Sequence, residues 1–294
     1  MEETIIILIR GIGAGAVYAL IAMSLNVIYN ATGVLNFAQG QLLVLSGVMT
    51  YLLLPAGIVA TSLLWYGVGL LVTLVVAVIA ALQGLLTLLP MRRGSDQHSW
   101  IITTLSASIM IGAILVLALG PRTLIMEDPF GSFALVGTKT PLVYLVLLAL
   151  AIVVLAGTRL FQRKSLAGLA LNALSEDLDA AKANGMRTLR LQIFAFAIAG
   201  AMMGLTGFVG GYVLEISVSQ ALHYVIFGFI VAVVGGIGNN LGALVAGPVF
   251  GVLMMFISFH LSGDAEVPLA LAALVVVLMV RPQGIFGRPH ARRV

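Results

Sequence analysis

Cysteine is absent from the 294 residues, and charged side chains make up only 9% of them. The first absence removes disulfides, thiolate metal ligands and cysteine nucleophiles, and says little about compartment because disulfides are optional in membrane domains. The second decides the class. Soluble domains carry roughly a quarter charged residues, whereas this chain is 61% hydrophobic with a mean hydropathy of +1.15. No long polar stretch is left to fold separately, so one integral membrane domain over 1–294 is expected. The start, Met1-Glu2-Glu3, also lacks the basic segment of a cleavable leader, and none is expected. A net charge of +4 with pI near 9.6 does not point to nucleic acid here, because the basic residues fall in short clusters between apolar runs. That pattern is a topology signal.

Apolar runs long enough to cross a bilayer, which takes roughly 20 residues, lie at Ile5 to Tyr29, Leu63 to Leu89, Trp100 to Leu119, Leu142 to Leu160, Leu191 to Val213 and Leu241 to His260. Three shorter runs, Gln41 to Leu54, Leu222 to Val234 and Val267 to Val280, read as tilted, partial or flank-extended spans. The expected fold is all-α and polytopic, with 8–9 spanning or partly spanning helices, some of them broken. If nine cross in alternation, twelve of the fifteen basic residues share one face, from Arg92 and Arg93 through Arg159 to Arg190 and on to the C-terminus. Arg10, Arg122 and Lys139 lie opposite, with Glu127, Asp128, Glu215, Asp264 and Glu266. The positive-inside rule makes the basic face cytoplasmic, with the N-terminus outside and the C-terminus inside.

Lipid tolerates irregular backbone only where protein or a water-lined cavity shields it. The polar, glycine-punctuated stretch Asn30 to Gln41 is therefore expected to be such a break. Amides and hydroxyls on interior stretches are candidates for a solute pathway: Asn26, Asn30, Asn36, Gln39 and Gln41 near this break, Thr103, Thr104, Ser106 and Ser108 on the third long run, and Asn239 and Asn240 at a second break. Each can equally serve as hydrogen-bonding glue between helices, which for a single Ser or Thr is the commoner role. Glycines spaced four apart, Gly11 and Gly15, Gly247 and Gly251, and the ladder Gly200, Gly204, Gly207, Gly211, predict helices that approach closely. The longest polar interior stretch, about 161–190, contains a short helix by its capping pattern. Ser175 is placed to cap, Glu176, Asp177 and Asp179 suit the first turn, Lys182 the last, and Asn184-Gly185 a left-handed stop. Such a helix reads either as a solvated linker or as a docking element.

Three of these stretches, in this order, resemble the branched-chain amino acid ABC transporter permease family: Val34-Leu35-Asn36-Phe37-Ala38-Gln39-Gly40 in the first break, Ala173 to Gly185 followed by Phe194-Ala195 and the glycine ladder, and Val234-Gly235-Gly236-Ile237-Gly238-Asn239-Asn240-Leu241-Gly242-Ala243. The ending Arg281-Pro282-Gln283-Gly284-Ile285-Phe286-Gly287-Arg288 is similar too, and within the family the chain looks like the LivH-like partner of the two permeases. Family members often carry His where Gln39 stands. The resemblance implies an importer in a bacterial-type inner membrane, in which this chain pairs with a second permease. Two cytoplasmic ATPases bind beneath, and an extracytoplasmic binding protein delivers branched-chain or other small apolar amino acids. The 173–185 helix becomes the coupling helix, and ATP, the only cofactor, belongs to the partners. The sequence agrees: Lys139, Lys164 and Lys182 are preceded by Thr138, Arg163 and Ala181, not by the glycine of a P-loop. Related permeases are associated with urea, short amides and small carboxylates, an alternative substrate class.

Two other classes compete. A secondary transporter or channel would need no ATPase, but ion-coupled carriers commonly keep an ionisable residue at membrane depth, and the centres of the long runs hold none. For an enzyme, His98, His223, His260 and His290 lack metal-ligand spacing, and Asp96, His98 and Ser99 are neighbours in sequence without implied triad geometry. Neither a catalytic nor a metal site is expected.

Overall fold

The computed structural model describes residues 2–55, 57–92, 99–135, 138–261 and 263–287. Arg93, Asp96, His98, Arg288, His290, Arg292 and Arg293 lie outside them. Six helices are long and apolar enough to cross a membrane: α1 (Glu2–Thr32), α3 (Leu63–Arg92), α4 (Ser99–Leu119), α5 (Val143–Lys164), α8 (Thr188–Gly210) and α10 (Asn240–His260). Three shorter apolar helices, α2 (Gln39–Leu53), α9 (Ala221–Val234) and α11 (Glu266–Val280), match the three short runs. Between α5 and α8 come α6 (Leu166–Glu176) and α7 (Leu178–Ala183). An antiparallel hairpin, β1 (Ser132–Leu135) with β2 (Thr138–Pro141), modifies the all-helical expectation. It lies in a connection, where strands need not satisfy their edges in lipid.

Among the described residues the nine apolar helices run alternately between two ends of the bundle. The C-terminal ends of α1 and α5, the second half of α6 and the α9–α10 turn meet at one end, lined by Arg159, Gln162, Asn172 and Asn239. Arg163, Lys164, Lys182, Arg187, Arg190 and Arg281 fall on segments at this basic end. The other end gathers Glu127, Tyr212, Glu215 and Glu266. There an aromatic cluster closes the bundle: the Trp65 ring lies against Phe130, Phe208 and Tyr66, and its Nε1–H donates to the Tyr212 hydroxyl at 3.2 Å.

Because lipid tails are as apolar as Leu, helices in a bilayer associate through close packing and interhelical hydrogen bonds rather than hydrophobic expulsion. The glycines supply the first. Gly11 and Gly15 of α1 interlock with Gly247 and Gly251 of α10, so closely that a Cβ on Gly15 or Gly251 would strike the opposing backbone. Three glycines of the ladder sit on α8 and admit neighbours closely: Gly200 and Gly204 take α3 at Val76–Ala80 and Thr73, and Gly207 takes α2 at Leu43 and Ser46; the fourth, Gly211, falls just past the end of the helix and meets Met126. In return Phe196 and Phe208 of α8 fill the space above Gly84 and Gly69 of α3. Ser46 Oγ adds a 2.6 Å bond to the Gly204 carbonyl. α1 and α8 thus form the buried centre. α4 and α11 present Ile109, Leu117, Val276 and Met279 outward, as lipid-facing surfaces do.

Candidate substrate pathway and coupling surface

α1 continues helical through Thr32, so the first break is Gly33–Ala38, shorter than the Asn30 start expected from sequence. Asn26 and Asn30 therefore stand on α1, not in irregular backbone. The break's own polar groups are largely satisfied from within the protein, as its burial requires. Gln192 of α8 donates to the Ala31 carbonyl at 3.3 Å, and Asn36 Oδ1 accepts from Ala38 N at 3.0 Å. Asn36 and Gln83 of α3 then exchange two side-chain bonds, at 3.0 and 2.7 Å, with both residues buried. Phe37 stacks on Trp100 at 6.1 Å between ring centres.

The second break, between α9 and α10, is held differently. Gly238 sits at φ +86, and its peptide is gripped from both sides by α1: its N–H donates to Asn26 Oδ1 at 2.8 Å, and its carbonyl accepts from Asn30 Nδ2 at 3.0 Å. Asn239 caps α10 by accepting from Leu241 N and Gly242 N, while its Nδ2 donates to the Phe286 carbonyl. Ile285 N adds a bond to the Val234 carbonyl. The segment after α11 is thereby tied into the break.

Two of the short helices begin inside the bundle. A Cβ on Gly40, in the first turn of α2, would collide with the Ala221 carbonyl, at the start of α9. α9 packs Phe227 against Tyr18 and Gly228 against Ile21, roughly halfway along the 31-residue α1. The N-termini of α2 and α9 therefore meet inside the bundle, from which α9 runs to the basic end and α2 to the other. With 15 and 14 residues, each covers about 22 Å of a bilayer core of about 30 Å. Gln41 Nε2 reaches the Val218 carbonyl at 3.3 Å from this junction. Gln39 is fully buried, and among the described residues neither its Nε2 nor its Oε1 has a hydrogen-bond partner. Gln41 Oε1, Asn26 Nδ2 and Asn240 Oδ1 are likewise buried without partners. Native proteins keep such groups few, so each calls for a reason. Among the described residues Thr103 and Thr104 bond only to carbonyls one turn back on their own helix, Ser99, Trp100 and Ile101.

Capping at the polar loop needs correction. Ser175 does not cap the short helix. It lies in the last turn of α6, where its hydroxyl donates to the Asn172 carbonyl, and Glu176 ends that helix instead of opening the next. The residue that caps is Asp177, whose Oδ1 accepts from Asp179 N and Ala180 N at 2.9 and 3.0 Å. Ser165 caps α6 itself through Gly168 N. Lys182 closes α7 by pairing with Asp179 at 3.1 Å, and Gly185 at φ +77 provides the left-handed stop that the sequence predicts. α6 buries Gly168, Leu171 and Leu174 and leaves Leu166 and Leu169 exposed, while most of α7 is exposed. The elbow between them borders both breaks. A cleft of about 620 Å³ brings Ser175 and Glu176 to Asn30, Gly238 and Asn239, and a second of about 380 Å³ runs from Tyr29 and Gly33 to Asp177 and Asp179.

Sequence reasoning missed Gln83 and Gln192, single amides inside apolar runs whose partners lie 47 and 161 residues away. Their polarity at such positions was the available signal. Among the described residues no three His, Asp or Glu side chains come together as a metal site.

A family model described as "Branched-chain amino acid transport system / permease component" matches residues 7–280. The high-affinity branched-chain amino acid transport system permease protein LivH of Salmonella typhimurium is 27% identical over 299 aligned positions, covering 97% of this chain and 96% of that one. BraD of Pseudomonas aeruginosa, a permease protein of the same description, is 24% identical with 98% and 97% coverage. Among solved structures, PsaBC from Streptococcus pneumoniae in complex with Fab aligns at TM-score 0.48 and 14% identity, covering 93% of this chain and 91% of that chain.

Proposed function

The chain belongs to the branched-chain amino acid transport permease family, and from that premise we propose that it is the membrane subunit of an ATP-driven importer for branched-chain or other small apolar amino acids. In this reading it works by alternating access with a second permease, two cytoplasmic ATPases and an extracytoplasmic binding protein. The basic end is cytoplasmic under the positive-inside rule, which leaves the N-terminus outside and the C-terminus inside.

The observation that carries the proposal is the placement of the α6–α7 elbow against both helix breaks. Ser175, Glu176, Asp177, Asp179, Lys182, Asn184 and Gly185 form the part of the basic end that a soluble protein can grip, and the elbow faces Asn30, Gly238 and Asn239 across one cleft and Tyr29 to Gly33 across the other. Movement of the elbow is transmitted to the Gly238 peptide and, through Asn26 and Asn30, to α1. Breaks in transporter helices often mark where substrate passes. The solute route then follows the amides left with unpartnered buried atoms, Gln39, Gln41, Asn26 and Asn240, which can hydrogen-bond a passing zwitterion and release it. Asn36 and Asn239 hold the breaks in shape, and Thr103 and Thr104 line α4.

Reconstitution tests this directly. Vesicles containing the chain with its ATPases, second permease and binding protein should accumulate leucine only when ATP is supplied. The chain alone moving leucine uphill without nucleotide would overturn the proposal. Because the chain has no cysteine, a single cysteine at Asp179 should also crosslink to an ATPase.

A further inference from the structure

At the acidic end a cavity of about 690 Å³ descends between α1, α5, α9 and α11, with Tyr18, Tyr144, Glu215, His223, Phe227 and Glu266 among its walls. Its floor is set by Tyr18, edge-on to Phe227 at 5.3 Å, about halfway along α1. Tyr18 is more than nine-tenths buried and lines this space, and its hydroxyl makes no hydrogen bond among the described residues. Two carboxylates stand above it. Gln220 Nε2 donates to Glu215 Oε2 at 3.1 Å, and Gln220 Oε1 lies 2.6 Å from His223 Nδ1, which fixes the Glu215 head group. Glu266 opens α11 on the opposite wall. Neither carboxylate joins an ion pair among the described residues, and no Lys or Arg lines the cavity; Arg10 lies within electrostatic reach of Tyr144 at the rim. The rest of the wall is small or apolar, including Ala14, Leu214, Met255 and Val267.

This volume suits a small ligand. Unpaired carboxylates attract a cation, aromatic faces add attraction for an ammonium in particular, and the apolar wall accommodates a short aliphatic body. The described residues also lack the clustered ligands a divalent metal needs. We infer that this cavity is a recognition site for the primary ammonium of an aliphatic amine or amino acid, held by Glu215 and Glu266 with Tyr18 beneath. Resting on the importer reading, the inference narrows its substrate class: zwitterionic amino acids enter from this end, whereas urea, short amides and carboxylates without an amine are turned away.

The test uses the full chain in lipid nanodiscs with radiolabelled L-leucine. Isoamylamine, which carries the ammonium without the carboxylate, should displace leucine, and isocaproate and acetamide should not. The double variant E215Q/E266Q keeps side-chain shape and should weaken leucine binding by about tenfold or more, the effect of losing charged hydrogen bonds. Tyr18→Phe, with the ring retained, should weaken it by a smaller factor, and both proteins should elute as the wild type does on size exclusion. No measurable leucine binding, isocaproate competing as well as isoamylamine, or unchanged affinity in a monodisperse double variant would overturn the inference. ATP-dependent uptake by the reconstituted complex separates the two claims. Uptake without amine selectivity sinks this site alone; amine selectivity with nucleotide-independent uphill transport sinks the importer alone.

Discussion

The two helix breaks solve the same problem by opposite means. Gly33–Ala38 is closed by side chains: the Asn36–Gln83 pair, the Gln192 bond and the Phe37–Trp100 stack. The turn at 235–239 is closed on its own backbone: Gly235 and Gly242 touch, and the Gly238 N–H and carbonyl are held by the side chains of two asparagines of α1. A side-chain closure can lose one contact and keep its path, because neighbours relax around it. A backbone closure admits no added atom. Both breaks border the α6–α7 elbow, but only the second ties in the segment after α11, so it is the one built to receive motion as a unit.

The sharpest way to break this contrast is to add one methyl group to each. At Gly238 a Cβ would lie 2.5 Å from Asn30 Oδ1 at a φ of +86. Left-handed strain and overpacking together should cost about 2–5 kcal/mol, read as a large fall in the thermal midpoint of the purified protein. At Gly33 a Cβ meets nothing within 4 Å, so Gly33→Ala should cost only the strain of its left-handed backbone, about 1–2 kcal/mol. Equal losses at the two sites would erase the distinction.

Next in size is the buried amide pair. Asn36→Leu or Gln83→Leu alone strands the other amide and should cost about 1–3 kcal/mol. The double variant should recover part of that loss, and the coupling from a double-mutant cycle on thermal unfolding measures the pair. Additive losses would mean the two amides do not support each other.

Gln39 should respond in the reverse direction. Its fully buried amide is unpartnered, so Gln39→Leu removes an uncompensated polar group and should raise stability by about 1–2 kcal/mol. ATP-driven leucine uptake should fall at the same time. Higher stability with undiminished uptake would remove Gln39 from the route and leave it an unexplained polar group in the core.

Much of this architecture is legible in the residues, and the misses share a cause. Apolar run length locates, among the described residues, the six helices long enough to cross a membrane and the three shorter apolar ones to within a few residues, because a spanning run must fill the hydrocarbon thickness. Glycine spacing foretold close approach, though not that Gly11 and Gly15 would choose Gly247 and Gly251, a pairing more than 230 residues apart that no local pattern encodes. Gln83 and Gln192 escaped notice for the same reason: a lone amide in an apolar run shows that a partner is needed, not where it lies. The first break was placed early because Asn30 looks like loop polarity, whereas its amide serves a distant glycine. The hairpin at 132–141 has no apolar run to announce it.

The error at the coupling loop is the most instructive and yields the smallest effect. Ser175 and Asp177 are both good capping residues, and an acidic residue follows each within two or three positions, so composition alone cannot choose between them. What chooses is α6. Gly168, Leu171 and Leu174 recur every three residues and bury one face, which carries that helix through Ser175 and forces the turn to Asp177. Asp177→Ala should therefore cost about 1 kcal/mol of local helix stability, seen as faster amide hydrogen exchange across 178–183. Ser175→Ala should change exchange there hardly at all, since its hydroxyl bonds only the Asn172 carbonyl on an exposed surface. If the elbow is the lever, loosening α7 should also lower leucine-stimulated ATPase activity in the complex while leaving basal hydrolysis intact. A normal stimulated rate in a variant with fast-exchanging α7 would mean that a partner grips α6, through Leu166 and Leu169, and that the six-residue α7 is only a tether.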